Sequence, residues 1–347
     1  MYKNCRVLVT GAGSGVGQGI IKSLKRSELP VTIIASDISK MNAGLYVSDE
    51  AAIIPKVEDP NALEKIIKLL NNKRIDLVMI GSEFDLMFFS IYKDKIELST
   101  KAIIFAANVE TVKIADDKWL TTEFLKNNNL PFAPAYLPDS ILDAKDKAKS
   151  WGYPVVLKAR SGTSSRHVHI LNNHKDLEEL YLSVPSPMLQ QLIDMPSSEL
   201  GTEYTCSVFK AMDGSLIGPF TAKRTVRGGT SWHIEVDEFK QIHHLLIKLG
   251  ESLDFIGSLN VQLMLTNDGP IPFELNSRFS GTTAVRAYFG FNEPEMAVIS
   301  FFHQEKLKTP EIKKGVAMRY HEEVFIDNTS SDNLSPDTNK GSVVKWF

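Results

Sequence analysis

Asn260–Arg278 reads NVQLMLTNDGPIPFELNSR. Two strand-like runs flank Asn267-Asp268-Gly269-Pro270, a cluster of turn formers, so the stretch predicts a β-hairpin. Alternate residues of a strand share a face. Glu274, Asn276 and Arg278 therefore point one way, and Phe273, Leu275 and Phe279 the other. With the turn centred on Asp268, Gln262 lies across from Glu274 and Asn260 across from Asn276. Cβ atoms of such pairs are about 4.5–5.5 Å apart. One face of one hairpin thus gathers a carboxylate, amide oxygens and a guanidinium. The oxygens are hard ligands suited to Mg2+ completed by phosphate and water, and the arginine suits a phosphoryl group. A merely solvated face would mix Lys, Thr and Glu instead.

Upstream of the hairpin the pattern comes in two parts. The first 110 or so residues alternate strand and helix, with strands at Val7–Val9, Val31–Ser36, Asp76–Ile80 and Lys101–Ala106 and a helix at Asn61–Asn71. That alternation predicts a doubly wound parallel sheet. A helix over Asp117–Asn128 and a proline-containing connection, Leu130–Pro138, follow. From Pro154 onward the strands come in antiparallel-looking pairs: Val155–Ala159, His167–Leu171, Met188–Ile193, Glu203–Lys210, Ser215–Val226 and the hairpin itself, with one helix at Glu238–Asp254. Asp327–Lys340 is polar, with little to bury, and predicts a mobile tail.

The bulk numbers fit a globular protein of more than one domain: 347 residues, 43% hydrophobic and 23% charged. A net charge of −3 leaves no general basic surface for nucleic acid or acidic lipid. No apolar run approaches the roughly 18 residues of a membrane helix. Cys5 and Cys206 sit in strand-like runs and read as buried, reduced thiols. A cytoplasmic location is the expectation.

The stretch Val7–Leu24, VLVTGAGSGVGQGIIKSL, is strand, tight turn and helix. It misses the dinucleotide fingerprint, because Val16 or Gln18 stands where the third glycine belongs. The spacing of Gly11, Gly15 and Gly17 is similar to the short-chain dehydrogenases, yet no tyrosine here has a lysine four residues later. A nicotinamide-binding protein remains the rival class. In it Asp37 would hold a ribose, where otherwise it caps the strand end.

The segments NVQLML and PFELNSRFSGTT resemble the metal-binding end of the ATP-grasp fold, especially the carbamoyl-phosphate synthase large-subunit type. The opening glycine turn is then similar to the Rossmann-like domain that precedes the grasp. The resemblance spans Val7 to about Ile326. It implies an α/β N-terminal Rossmann-like domain (1–111), followed by an α+β ATP-grasp fold of two subdomains. These are a small lid subdomain with the phosphate loop (112–187) and a C-terminal subdomain with the metal site (188–328), with the polar tail at 329–347.

The same resemblance implies roles residue by residue. Glu274 bridges two Mg2+ ions, with Mn2+ able to replace them; Asn276 holds one and Gln262 the other. Arg278 contacts the γ-phosphate. Lys158 and Lys118 neutralise phosphate charge, although Lys158 also reads as a solvated strand end. Ser161, Gly162, Thr163 and Ser164 form the phosphate loop, which carries a single glycine where the family is glycine-rich. Gln190, Gln191, Leu192 and Ile193 form the hinge that reads the adenine edge, Glu203 meets the ribose, and Met264 and Phe209 wall the base. Arg224, Arg227, Gly281, Thr282 and Arg286 are candidates for the substrate anion, the first two equally readable as a solvated charge run. The implied activity is ligation of a small-molecule carboxylate to an amine or ammonia through an acyl phosphate, at the cost of ATP. Bicarbonate as the carboxylate, and a non-catalytic nucleotide-binding module, stay open beside it. Oligomeric state is unspecified, with a homodimer as the common default.

Overall fold

The computed structural model describes residues 2–162, 167–193 and 202–344. The N-terminal domain is built on five parallel strands, β1 (Cys5–Val9), β2 (Val31–Asp37), β3 (Glu50–Ile53), β4 (Leu77–Met79) and β5 (Ile103–Phe105), in the order β3-β2-β1-β4-β5. Helices α1 (Gly15–Arg26), α2 (Ala62–Lys73) and α3 (Glu83–Ser99) connect them. The central strand β1 is apolar on both faces, as a covered parallel sheet requires, and Val7, Leu8 and Val9 are fully buried. The first turn is tight for a steric reason. A Cβ on Gly17 would lie 2.1 Å from the Gly11 carbonyl oxygen, so only glycine lets α1 start this close to β1.

Helices α4 (Val109–Asp116) and α5 (Lys118–Asn127) lead out of this domain. They stay with its core: Val112, Ala115 and Leu125 belong to the same apolar cluster as Leu8 and Ile34. Next comes the lid: β6 (Ala135–Tyr136), α6 (Ile141–Trp151), β7 (Val155–Ala159), β8 (Val168–Leu171), α7 (His174–Leu180) and β9 (Pro187–Gln191). Its sheet runs β6-β9-β7-β8, and it has its own small core around Ala148, Leu157, Leu177 and Leu189. The division expected at residue 188 falls inside this sheet, because β9 is hydrogen-bonded to both β6 and β7.

The remainder forms a larger antiparallel sheet. Its strands are β10 (Glu203–Lys210), β11 (Leu216–Phe220), β12 (Ala222–Arg227), β13 (Thr230–Val236), β14 (Gly257–Thr266), β15 (Gly269–Asn276) and β16 (Gly315–Met318). The order is β15-β14-β10-β12-β13-β16, with β11 also paired to β10. Helix α8 (Lys240–Ser252) covers one face, and α9 (Thr283–Tyr288) and α10 (Glu293–Ala297) follow the hairpin and pack on α1. The single strand expected over Ser215–Val226 is two strands broken at Thr221. Pro219 lacks a ladder donor, and Gly218 before it has a φ of 109°.

The hairpin register is the expected one at its working end and not at its tip. Gln262 pairs with Glu274 and Asn260 with Asn276, but Leu263 pairs with Pro272. The turn is the two-residue Asn267-Asp268, closed by Thr266 and Gly269, and Phe273 is the extra residue of a bulge that restores the register.

Residues 329–344 are not a free tail. The Gly341 N–H donates to the Tyr46 carbonyl at 2.8 Å, Lys340 Nζ to the Asp49 carbonyl at 2.8 Å, and Leu334 packs on the apolar core. One leucine and a few backbone donors anchor a segment whose composition is otherwise polar. Among the described residues no helix is long and apolar enough to cross a membrane. Cys5 and Cys206 are free thiols, both fully buried; burial pushes Cys206 up to about 12.

Candidate active site

A cleft of about 750 Å³ lies between the N-terminal domain and the large antiparallel sheet. One wall is the C-terminal edge of the parallel strands, where ligands of open α/β sheets bind. It presents the glycine turn, Asp37, Glu58 and Glu83 to Asp85. The other wall presents Arg224, Asn260, Gln262, Glu274, Arg278, Gly281, Thr282 and Arg319.

The hairpin donors form one hydrogen-bonded chain. Gln262 Nε2 donates to Glu274 Oε1 at 2.7 Å, and Asn276 Nδ2 donates to the same oxygen at 2.9 Å. Glu274 thus keeps its second oxygen, and Asn276 its side-chain carbonyl, for a further partner. These two hard oxygens fit a divalent cation. The Gln262 carbonyl has a partner already: it accepts from Arg224 Nη2 at 2.5 Å. Arg224 is 8% exposed and also reaches Glu203 Oε2 at 3.1 Å and Ser231 Oγ at 3.0 Å. Glu203, expected at a ribose, is therefore ion-paired.

Lys158 is the last residue but one of β7 and is no solvated terminus. It is 5% exposed, with Nζ donating to Gln190 Oε1 at 2.9 Å. Burial and the charge of Lys118 pull it down to about 7, opposed by the charge of Glu274. Lys118, Lys158 and the hairpin carboxylate therefore lie within electrostatic reach of one another. Lys118 opens α5, its backbone N–H on the Arg160 carbonyl at 2.8 Å and its Nζ on the Gly162 carbonyl at 3.2 Å. A cation at a helix start opposes the dipole, which suits a place awaiting an anion. Arg160 and the helix cap Asp117 form an ion pair at 2.5 Å beside it. Ser161 and Gly162 are exposed, while Thr163 and Ser164 lie outside the described residues. Gln190 is buried, Gln191 half-buried with its N–H on the Pro134 carbonyl at 2.9 Å, and Leu192 exposed. Ile193, like Met264, is half-buried.

Three candidates lie elsewhere than expected. Arg286 is no substrate anchor: it is fully buried, with Nη1 3.1 Å from Glu293 Oε2 and Nη2 on Asn260 Oδ1. Ser207 and Ser258 donate to the same Glu293, so the pair cements α9 and α10 to the sheet. Arg227 is exposed and lies 5.4 Å over the Trp232 ring. Phe209 is a core residue stacked near Phe105, not a wall for a base.

Other residues of the cleft carry no signal in the hairpin motif. Arg319 donates to the Ser231 carbonyl at 2.7 Å and to the Gly281 carbonyl. Glu83 pairs with Arg278 across the cleft. Asp85 is 6% exposed and is raised to about 6 by burial and by the charges of Asp37 and Glu58. Glu83 and Asp85 follow the end of a parallel strand, and that position is a signal readable in sequence. Arg319 leaves an edge strand, and nothing local marks it.

The glycine turn is satisfied within the protein. The Gly13 N–H donates to Asp37 Oδ2 at 2.8 Å, and a Cβ on Gly13 would lie 2.3 Å from the Asn42 side chain. A carboxylate thus occupies a backbone donor that a dinucleotide pyrophosphate would want.

An N-terminal parallel-sheet domain followed by a four-stranded lid sheet and a larger antiparallel sheet is the architecture of the ATP-grasp fold, and here Gln262, Glu274 and Arg278 line the cleft. Residues 115–282 match the ATP-grasp domain family and residues 7–103 match the PylC-like N-terminal domain family. Solved structures share the fold. N5-carboxyaminoimidazole synthetase from Staphylococcus aureus complexed with ADP has a TM-score of 0.71 at 17% identity, covering 91% of this chain and 82% of its own. Carboxyaminoimidazole ribonucleotide synthase from Aspergillus clavatus complexed with ATP has a TM-score of 0.72 at 14% identity, covering 99% and 94%. Biotin carboxylase from Campylobacter jejuni has a TM-score of 0.69 at 18% identity, covering 90% and 74%.

Proposed function

We propose that the chain is an ADP-forming ligase that joins a small-molecule carboxylate to an amine through an acyl phosphate. The observation that carries this reading is the hairpin itself: its register sets Gln262 opposite Glu274, Asn276 is hydrogen-bonded to Glu274, and Glu274 and Arg278 line one cleft. In the first step a carboxylate oxygen attacks the γ-phosphorus of ATP and the bond to ADP breaks. In the second the amine nitrogen attacks the acyl carbon, phosphate leaves, and the amine gives up a proton to water. Such chemistry needs positioning and charge neutralisation rather than a side-chain nucleophile.

Lys158 and Lys118 neutralise the inner phosphates. Gln190, Gln191 and Ile193 border the base, and Arg278 steadies the transferring phosphoryl. Glu274 and Asn276 would hold Mg2+, which supplies Lewis-acid polarisation of the phosphoryl oxygens when bound. Gly281, at the cleft wall, offers a backbone donor to the reacting carboxylate, while the Thr282 N–H donates to Ser280 Oγ at 3.2 Å. The reading calls for small molecules only, with neither nucleic acid nor membrane as partner.

ADP release, measured with Mg2+ and ATP over amino acids, sugar acids and polyamines, tests it. A carboxylate–amine pair that stimulates release, with Glu274→Gln abolishing the stimulation, is the expected result. ATP binding with no release under any mixture would leave a nucleotide-binding module. The neighbours named above include a biotin carboxylase and two carboxyaminoimidazole-forming enzymes. They favour a second reading in which bicarbonate is the carboxylate, and bicarbonate-dependent ADP release distinguishes it.

A further inference from the structure

We propose that the Arg224 guanidinium takes the place of one of the two divalent cations, so that the site works with a single metal ion, held by Glu274 and Asn276. The inference rests on the ligase reading above and concerns how its charge is arranged.

Arg224 is held on three sides, by Ser231, Glu203 and Gln262, and is 92% buried, being 8% exposed. Its Nη2 sits on the oxygen that a second metal at the hairpin would need. An amide carbonyl that accepts a guanidinium N–H has one lone pair left, and a divalent ion placed on it would sit close enough to the guanidinium for the two positive charges to repel.

Residue 262 supports the assignment. A carboxylate there would face Glu274 directly in the ladder and would need a cation between the two acids. Glutamine needs none: its carbonyl takes the Arg224 proton donor while its amide donates to Glu274 at 2.7 Å. Arg224, Gln262 and Glu274 therefore form a relay in which fixed positive charge is connected to the metal-binding carboxylate through a neutral amide. Glu203 balances the guanidinium from the other side at 3.1 Å. Glu274 Oε2 and the Asn276 carbonyl remain for one ion.

The test is a Mn2+ titration of the full chain with a non-hydrolysable ATP analogue, reading free Mn2+ by electron paramagnetic resonance. One Mn2+ per chain is expected at saturation. Arg224→Ala should raise the count to two, and Arg224→Lys, which keeps the charge, should leave it at one. Two ions on the unaltered chain would overturn the proposal, as would a count of one on folded Arg224→Ala. Should Arg224→Ala fail to fold, the count on the unaltered chain still decides. Neither analogue nor Mn2+ uptake would overturn the ligase reading and this inference with it, whereas two ions would overturn this inference alone.

Discussion

Arg278, just beyond the hairpin of β14 and β15, forms an ion pair with Glu83, the first residue of α3 in the N-terminal domain. The side chains are 12% and 27% exposed. A residue assigned to the transferring phosphoryl is thus held by a carboxylate from the opposite wall, and ATP must displace that partner. Glu83→Gln removes the competing charge while keeping a hydrogen-bond acceptor. Binding of a non-hydrolysable ATP analogue should tighten by about five- to tenfold, roughly 1 kcal/mol for a partly exposed pair, as isothermal titration calorimetry will read.

Lys158 provides a proton signature. Its pKa falls from 10.5 to about 7 on folding, so the unfolded chain binds more protons between these values. Stability should therefore rise with pH across that window. A triphosphate restores the charged form. At about pH 8, analogue binding should take up to about one proton, seen as a dependence of the calorimetric heat on buffer ionisation enthalpy. Lys158→Arg stays charged throughout and should lose that dependence.

Asp85 shows the opposite slope. Its carboxyl is raised from 3.8 to about 6 by burial, with Asp37 and Glu58 adding to the shift. The folded state then binds more protons between pH 4 and 6, and stability falls as pH rises through that interval. Asp85→Asn should stabilise the protein at pH 7 by up to about 3 kcal/mol, at 1.36 kcal/mol per pKa unit. The gain should vanish below pH 4. Urea unfolding at the two pH values checks both statements.

Arg286 and Glu293 are both fully buried. Arg286→Met leaves Glu293 as an uncompensated interior charge and should cost about 3–5 kcal/mol. Arg286→Met combined with Glu293→Gln should recover part of that loss. Denaturant midpoints of the two variants decide between a structural pair and a substrate anchor, since a substrate anchor would change KM with little effect on stability.

Glu274→Gln should lower ADP release at least a hundredfold, about 3 kcal/mol of barrier, with the thermal midpoint almost unmoved because Glu274 lies at the cleft wall. An unchanged rate would remove Glu274 from the chemistry.

The parallel and antiparallel halves were legible because their strand periodicities differ, and Glu274, Asn276 and Gln262 because strand alternation is strict at that end of the hairpin. The turn centre was misjudged, but the bulge at Phe273 cancelled the error where it mattered. Arg286 was misread for a physical reason: its partner Glu293 sits seven residues on, beyond an intervening turn, and no periodicity announces an interior pair. Arg319 comes to the cleft from beyond an edge strand far along the chain, so only tertiary packing reveals it. Gln262 looked like a plain metal ligand because sequence shows the donor and not the Arg224 that already occupies it.

The segment beyond β16 has a mechanical consequence. It leaves the far edge of the large sheet and crosses back to the N-terminal domain, where Gly341 and Lys340 fasten it to Tyr46 and Asp49. Acting as a strap on the outside, it braces the two walls against swinging apart like the covers of a book. The four-stranded lid sheet, with its separate small core, lies outside that clasp.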